Sequence, residues 1–143
     1  MNKNGSFVSE PLLTALRGVE VEILMPEQNN LMLVQWAAQA QADQLLEGCC
    51  RIQLSPPPFD HTKLMLIDDA WAFLGSANWD ARSLRLNFEY NLECYDRNLS
   101  RRLHDLVDAK TAASRELALG ELADRSLSVK LRDGFARLFS PYL

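Results

Sequence analysis

The sequence places a histidine and a lysine two residues apart, a pairing that suits chemistry on a phosphate ester. His61 and Lys63 open a run, 61–67, that is predicted to be a strand. Alternate side chains of a strand share a face, so these two groups lie roughly 7 Å apart along the chain. Histidine supplies a nucleophile or a proton carrier, and lysine supplies positive charge for the non-bridging oxygens. A phosphodiester needs both.

A second polar cluster follows at 75–78. Ser76 and Asn78 share a face and add neutral hydrogen-bond donors, and Asn78 is expected to hold phosphate beside Lys63. Gly75 and Ala77 are small, so they are expected to let a phosphate approach the backbone closely.

Asp68 is expected to have a structural role. It lies seven residues after His61, so in a strand it faces away from the histidine. It falls between two short apolar runs, 61–67 and 70–74, which predict a hairpin with an acidic turn.

Glu89 is the candidate acidic helper. It lies on the polar face of a strand predicted over 86–95, and Glu93 on the same face is its competitor. A carboxylate on the far imidazole nitrogen of His61 would fix the tautomer and stabilise the imidazolium. The other histidine, His104, lies in a polar helix and is expected at the surface.

The elements that must position these residues alternate between helix and strand, which predicts an α/β domain with a mixed β-sheet flanked by helices. We expect a single domain over 1–143 with a helical C-terminal tail from about 113. Before the hairpin, the pattern predicts a helix capped by Ser9 and ended by Gly18, a strand at 19–25, a helix at 31–46 and a strand at 50–54. After the strand at 86–95, it predicts a helix capped by Asn98 and then a final helix. The packed side of that final helix is expected to carry Leu127, Leu131, Phe135, Leu138 and Phe139.

Composition narrows the function classes. The 143 residues carry a net charge of -4 with a pI of about 5.1, which gives no basic footprint for nucleic acid. Three cysteines without a CxxC pair or Cys/His spacing predict reduced thiols and no metal site. No apolar run reaches the ~18 residues that span a bilayer, so the chain is expected to be soluble or peripheral.

The pattern His61-x-Lys63-x4-Asp68, followed after six residues by Gly75-Ser76-x-Asn78, resembles the HKD motif of the phospholipase D superfamily. Residues 75–89 and the closing residues 137–143 are similar to the C-terminal half of bacterial cardiolipin synthases. The resemblance covers nearly the whole chain and is most specific over 61–95. It implies one phospholipase D-like half-domain that needs neither metal nor cofactor, with a glutamate at the position of Glu89 that orients the histidine.

The resemblance also implies a mechanism. Two copies of the motif meet at one site, where one histidine forms a phosphohistidine and the other acts as general acid and base. The reaction moves a phosphatidyl group from a phosphatidylglycerol-like anionic phospholipid to another alcohol, at a membrane surface. The residues carried over are His61, Lys63, Asn78 and Glu89 as catalytic, with Asp68, Ser76 and Gly75 in support.

This chain departs from the pattern in having one motif and no N-terminal membrane segment. The second motif is then expected from a homodimer mate or from a missing N-terminal half. A full-length enzyme of this kind would be bacterial and associated with the inner membrane. Two other interpretations stay open: a single-motif homodimeric phosphodiesterase or endonuclease, which the acidic pI opposes, and a catalytically inert half-domain.

Overall fold

The computed structural model describes residues 9–29, 32–58, 60–76 and 88–138. Along these ranges, helices and strands alternate up to the second strand, after which three further strands follow in succession before the next helix. The helices are α1 (Ser9–Leu16), α2 (Met32–Glu47), α3 (Arg97–Ala112), α4 (Leu119–Ala123) and α5 (Leu127–Leu138), and the strands are β1 (Glu22–Pro26), β2 (Arg51–Ser55), β3 (Leu64–Ile67), β4 (Trp71–Gly75), β5 (Asn91–Cys94) and β6 (Arg115–Glu116).

The described strands form two three-stranded sheets. In the first, here called the core sheet, β1 lies parallel to β2 and β6 lies antiparallel to β2. In the second, here called the motif sheet, β3, β4 and β5 are all antiparallel. The predicted α/β class with a mixed sheet is confirmed. The prolines at 56–58 directly follow β2 and cannot donate to a ladder, which explains why pairing stops between the two sheets.

The hydrophobic core lies against one face of the core sheet. Ile52 of β2 is fully buried, and Ala42 and Leu45 of α2 pack in the same cluster. The cluster also contains Ala15 of α1, Cys50 just before β2, and Leu117 and Leu122 from the segment after α3. The small and aliphatic residues of α2 therefore let that helix lie close to the strands.

The ends of the early elements follow local chemistry. Gly18 has φ +86, a left-handed conformation that suits the residue after a helix, and it ends α1 as predicted. The predicted strand at 19–25 begins later, at Glu22, where pairing with Arg51 of β2 starts.

The cap predicted for α3 was wrong by two residues. The side chain of Asp96, rather than that of Asn98, accepts hydrogen bonds from the backbone N–H of Asn98 at 2.7 Å and of Leu99 at 3.0 Å. The helix therefore starts at Arg97. An aspartate carboxylate satisfies two otherwise unpaired N–H groups at once, which makes it the stronger cap here.

The C-terminal segment differs from its prediction in two ways. It is mostly helical after 113, but β6 first adds a short strand to the core sheet. The apolar stripe of α5 was expected to pack, whereas Leu127, Leu131 and Phe135 are 73%, 66% and 62% exposed. The opposite side of α5, which includes the buried Asp133 and Ala136, provides the packing instead.

A cation–π contact joins α5 to α2. The guanidinium of Arg132 lies 4.2 Å from the ring centre of Trp36 and also donates to Asp133. Among the helices of the described ranges, none is long and apolar enough to cross a membrane.

Candidate active site

The β3–β4 hairpin positions the predicted site. Leu64 pairs with Leu74 and Ile67 pairs with Trp71, so the predicted hairpin is confirmed. The ladder begins at Leu64 rather than at His61. His61 and Lys63 therefore lie in a short extended segment just before β3, and the Lys63 carbonyl accepts a 3.3 Å bond from the N–H of Gly75 that keeps this segment beside β4.

His61 and Lys63 are in direct contact. The Lys63 ammonium donates to the carbonyl oxygen of His61 at 2.9 Å, and the His61 side chain is exposed. Burial lowers the pKa of Lys63, and the carboxylates of Glu89 and Asp60 oppose that shift by raising it. The lysine is thus a half-buried cation with two carboxylates near it.

Glu89 is joined to Ser76. The Ser76 hydroxyl donates to Glu89 Oε2 at 2.5 Å and accepts from the Tyr90 N–H at 3.0 Å. The strand predicted over 86–95 is shorter, since β5 begins at Asn91 and Glu89 lies before it. Ser76, expected to donate to phosphate, donates to the glutamate in this structure, so Glu89 is fixed beside the lysine by a neighbouring hydroxyl.

Gly75 lies against the neighbouring strand, and the predicted approach of a phosphate to its backbone stays a prediction. A Cβ added at this position would lie 2.3 Å from Asn91 Oδ1 and 2.4 Å from the Tyr90 carbonyl oxygen. The glycine therefore permits the close approach of β4 to β5. That approach also places Ser76 next to Tyr90, where the hydrogen bonds that hold Glu89 can form.

Asp68 lies in the turn between β3 and β4. Its φ is +49, a left-handed conformation that aspartate tolerates better than most residues. Its carbonyl oxygen lies 2.7 Å from Nε2 of His104 on α3. A carbonyl can only accept, so Nε2 of His104 carries the proton. His104 is partly exposed, and its ring also contacts the motif turn, which the sequence did not predict.

Sequence reasoning also missed Asp60, which directly precedes His61. Asp60 Oδ1 accepts from the N–H of Thr62 at 2.8 Å and from its hydroxyl at 2.5 Å, and Oδ2 pairs with the ammonium of Lys110. The hydrogen bond from Lys110, and then those from Thr62, hold the pKa of Asp60 well below its ordinary value. An Asp-x-Thr pattern is typical of a local side-chain turn and was the available signal.

Two other predicted residues complete the account. Asn78 falls within 77–87, outside the described residues. Glu93, the competitor of Glu89, is exposed and accepts from the Tyr95 hydroxyl at 2.8 Å.

The described part of the site therefore has an exposed His61, a half-buried Lys63 whose ammonium bonds to the His61 backbone, and a carboxylate–hydroxyl pair formed by Glu89 and Ser76. These groups can hold and attack a phosphate ester. In the ranges that the structure describes, no three His, Cys, Asp or Glu side chains are grouped so as to hold a metal ion.

Comparison with known proteins finds a matching family model and similar sequences. Residues 6–110 match the family model described as cardiolipin synthase, phospholipase D-like domain. Cardiolipin synthase 1 of Staphylococcus aureus strain COL is 36% identical over 140 residues, which is 98% of this chain and 28% of that protein. Cardiolipin synthase 1 of Staphylococcus epidermidis is 34% identical over 138 residues, again 28% of its length.

The fold also has a solved counterpart. The crystal structure of Nuc from Salmonella typhimurium, a phospholipase D family member, superposes with a TM-score of 0.66 at 18% identity. The match covers 77% of this chain and 72% of that one. At that identity the likeness concerns the fold alone.

Proposed function

Because this chain belongs to the cardiolipin synthase, phospholipase D-like domain family, we propose that it acts in phosphatidyl transfer on anionic glycerophospholipids through a phosphohistidine at His61. The observation that carries the proposal is the hydrogen bond from the Lys63 ammonium to the backbone carbonyl of His61, which places the cation beside the histidine, and the Glu89 carboxylate raises the pKa of the same lysine. This arrangement offers a nucleophile and a cation for one phosphate group.

Each residue has a proposed role. An imidazole nitrogen of His61 bonds to phosphorus, and the first alcohol leaves with a proton from a second histidine. The incoming alcohol then gives its proton to that second histidine and displaces His61. Lys63 and Asn78 hold the phosphate oxygens, Glu89 orients the imidazole, and Ser76 holds Glu89 in place. With phosphatidylglycerol as both donor and acceptor, the products are cardiolipin and glycerol.

The second histidine must come from outside this motif. The chain spans 28% of the length of the curated relatives that it matches, so we propose that it is one phospholipase D-like unit, the C-terminal catalytic half of such an enzyme. A second copy of the chain, or the remainder of a longer protein, supplies the other motif. The substrate implies that the reaction takes place at a membrane surface.

The test has two parts. Light scattering over a range of concentrations gives the mass of the chain in solution, and vesicles of phosphatidylglycerol labelled at phosphorus report the transfer. We expect cardiolipin and an acid-labile, alkali-stable label on His61, either from a homodimer of the chain or from a monomer to which the N-terminal half has been added. His61→Asn should lower the rate by at least about 10⁴-fold, the scale seen when a nucleophile is removed.

Other outcomes separate the alternatives. Binding to DNA with steep salt dependence, together with DNA cleavage and no lipid transfer, would favour a homodimeric nuclease. A dimer whose behaviour in both assays is the same with and without His61→Asn would identify an inert module. A strict monomer that regains transfer only with an added N-terminal half would support the half-enzyme.

A further inference from the structure

Helix α3 contacts both ends of the HKD motif. His104 reaches the carbonyl oxygen of Asp68, after β3, and Lys110 reaches the carboxylate of Asp60, before His61. The helix therefore runs antiparallel to the segment 60–68. Lys110 lies in the last turn of α3, where a cation is favoured by the helix dipole.

The two oxygens of the Asp60 carboxylate bind different partners. Oδ1 accepts both bonds from Thr62, and Oδ2 takes the ammonium of Lys110. A bond from an aspartate side chain to the N–H two residues later closes a local turn. His61 is the residue enclosed by this turn, so the position of the Asp60 carboxylate sets the backbone that carries the imidazole.

His61 is held from the other side as well. The Lys63 ammonium donates to the His61 carbonyl oxygen at 2.9 Å. The backbone of His61 thus lies between the turn closed by Asp60 and the bond from Lys63, and only the first is tied to a rigid helix. Lys110 is fifty residues from Asp60 in the sequence, so this tie is a tertiary contact.

We propose that Asp60 and Lys110 form a positioning pair, in which α3 fixes the turn around His61 and so aims the imidazole at phosphorus. The proposal rests on the function proposed above for His61. The side chains of Lys110 and Asp60 are 44% and 38% exposed, and ion pairs this exposed add little to folding stability. The effect of breaking the pair should therefore appear in the reaction and in local order rather than in global unfolding.

The kinetic test uses the full chain with Lys110→Met, Lys110→Arg and Asp60→Asn, and Lys130→Met as the matched lysine control. We expect Lys110→Met to lower kcat about tenfold with KM within about twofold, because a small misplacement of a reacting group is costly. Lys110→Arg should restore most of the rate, and the melting temperature should change little. Kinetics of Lys110→Met equal to those of Lys130→Met would overturn the proposal.

A second measurement does not depend on activity. Lys110→Met should accelerate hydrogen exchange at the Thr62 amide about fivefold, because the carboxylate that accepts it is no longer anchored. Asp60→Asn should lower the pKa of Lys63, followed by nitrogen NMR, since the Asp60 carboxylate raises that pKa. Unchanged Thr62 exchange in Lys110→Met would overturn the pair even in an active enzyme. Faster Thr62 exchange in Lys110→Met, in a protein that transfers no lipid, would support the positioning pair and contradict the proposed function of His61.

Discussion

The two sheets of this protein are held in different ways. The core sheet contains Ile52, which is fully buried, and three helices and the segment after β6 surround it with apolar side chains. In the three strands of the motif sheet, Ala72 is the one buried residue, and Met65 and Ile67 are exposed. Among the residues predicted to do chemistry, those that the structure describes lie in or beside the motif sheet. Apolar burial is therefore concentrated around the core sheet, and the described residues that we propose for chemistry lie around the motif sheet.

In the motif sheet, polar contacts hold residues in position, whereas in the core sheet burial of apolar side chains does so. His104 holds the turn at Asp68, Lys110 holds Asp60, and Ser76 holds Glu89. These hydrogen bonds and ion pairs fix the orientation of the residues that they join. They add little to the free energy of folding, because water forms competing hydrogen bonds with the same groups. Substitutions in the two sheets should consequently separate into losses of stability and losses of rate.

The largest stability effect should come from Ile52→Ala in the core sheet. Removing most of a fully buried side chain leaves a cavity, so we expect a loss of about 3 kcal/mol in the free energy of unfolding. The measurement is urea unfolding followed by circular dichroism. Met65→Ala in the motif sheet is the matched control and should cost less than about 1 kcal/mol. Equal losses would remove the distinction between the sheets.

The next effect tests whether polar groups also stabilise the core side. Asp133 is buried on α5, lies 2.9 Å from Arg125 and accepts from Arg132. Asp133→Asn leaves both guanidinium groups without their carboxylate, and we expect a loss of about 2 kcal/mol, below the range for fully buried pairs because Arg132 is partly exposed. The exposed Asp124→Asn serves as the control in the same urea titration. A loss no greater than the control's would mean that apolar packing alone holds α5.

The parts of the fold that depend on local signals could be predicted from the sequence. The hairpin followed from two apolar runs around an acidic turn, and the end of α1 followed from Gly18. In each case a few neighbouring residues determine the backbone. The motif itself identified the segment with His61 and Lys63, which the structure brings into contact.

Contacts between distant residues could not be predicted in this way. Lys110 meets Asp60 across fifty residues, and Gly75 is constrained by a strand that begins at Asn91. Neither contact leaves a periodic pattern in the sequence. The apolar stripe of α5 is a case in which a periodic pattern misleads. Its spacing correctly predicted a helix, but the side of the helix that packs is the opposite one, around Asp133. Burial of an acidic residue was decided by its arginine partners, which the pattern does not reveal.

A smaller effect, on rate and ionisation, should come from Glu89→Gln in the motif sheet region. The Glu89 carboxylate raises the pKa of Lys63 against the effect of burial, so its loss should lower that pKa and weaken the cation. We expect transfer to fall about tenfold, less than the roughly 10²–10⁴-fold that a direct proton-transfer group contributes, because Glu89 acts through Lys63 and His61. NMR titration of labelled lysine and the vesicle assay provide the two readouts. Glu93→Gln, next to Tyr95, is the control, and a Lys63 pKa unchanged by Glu89→Gln would contradict this electrostatic role.

The smallest effect is the pH dependence of stability at Asp60. Its pKa is lowered in the folded chain, first by Lys110 and then by Thr62, so the folded state favours the carboxylate. The stabilisation is fully present above the pKa of an unfolded aspartate and is lost as pH falls below it through the folded value. The deficit of Asp60→Asn relative to the parent, at most about 1 kcal/mol for so exposed a pair, should be measurable in urea at pH 6 and should shrink steadily as the pH falls from 4 toward 2. The deficit of Ile52→Ala has no titrating group behind it, so it should stay nearly constant over the same range. Parallel pH dependence of the two deficits would mean that acid weakens the whole fold, and that the segment before β3 is not held by charge.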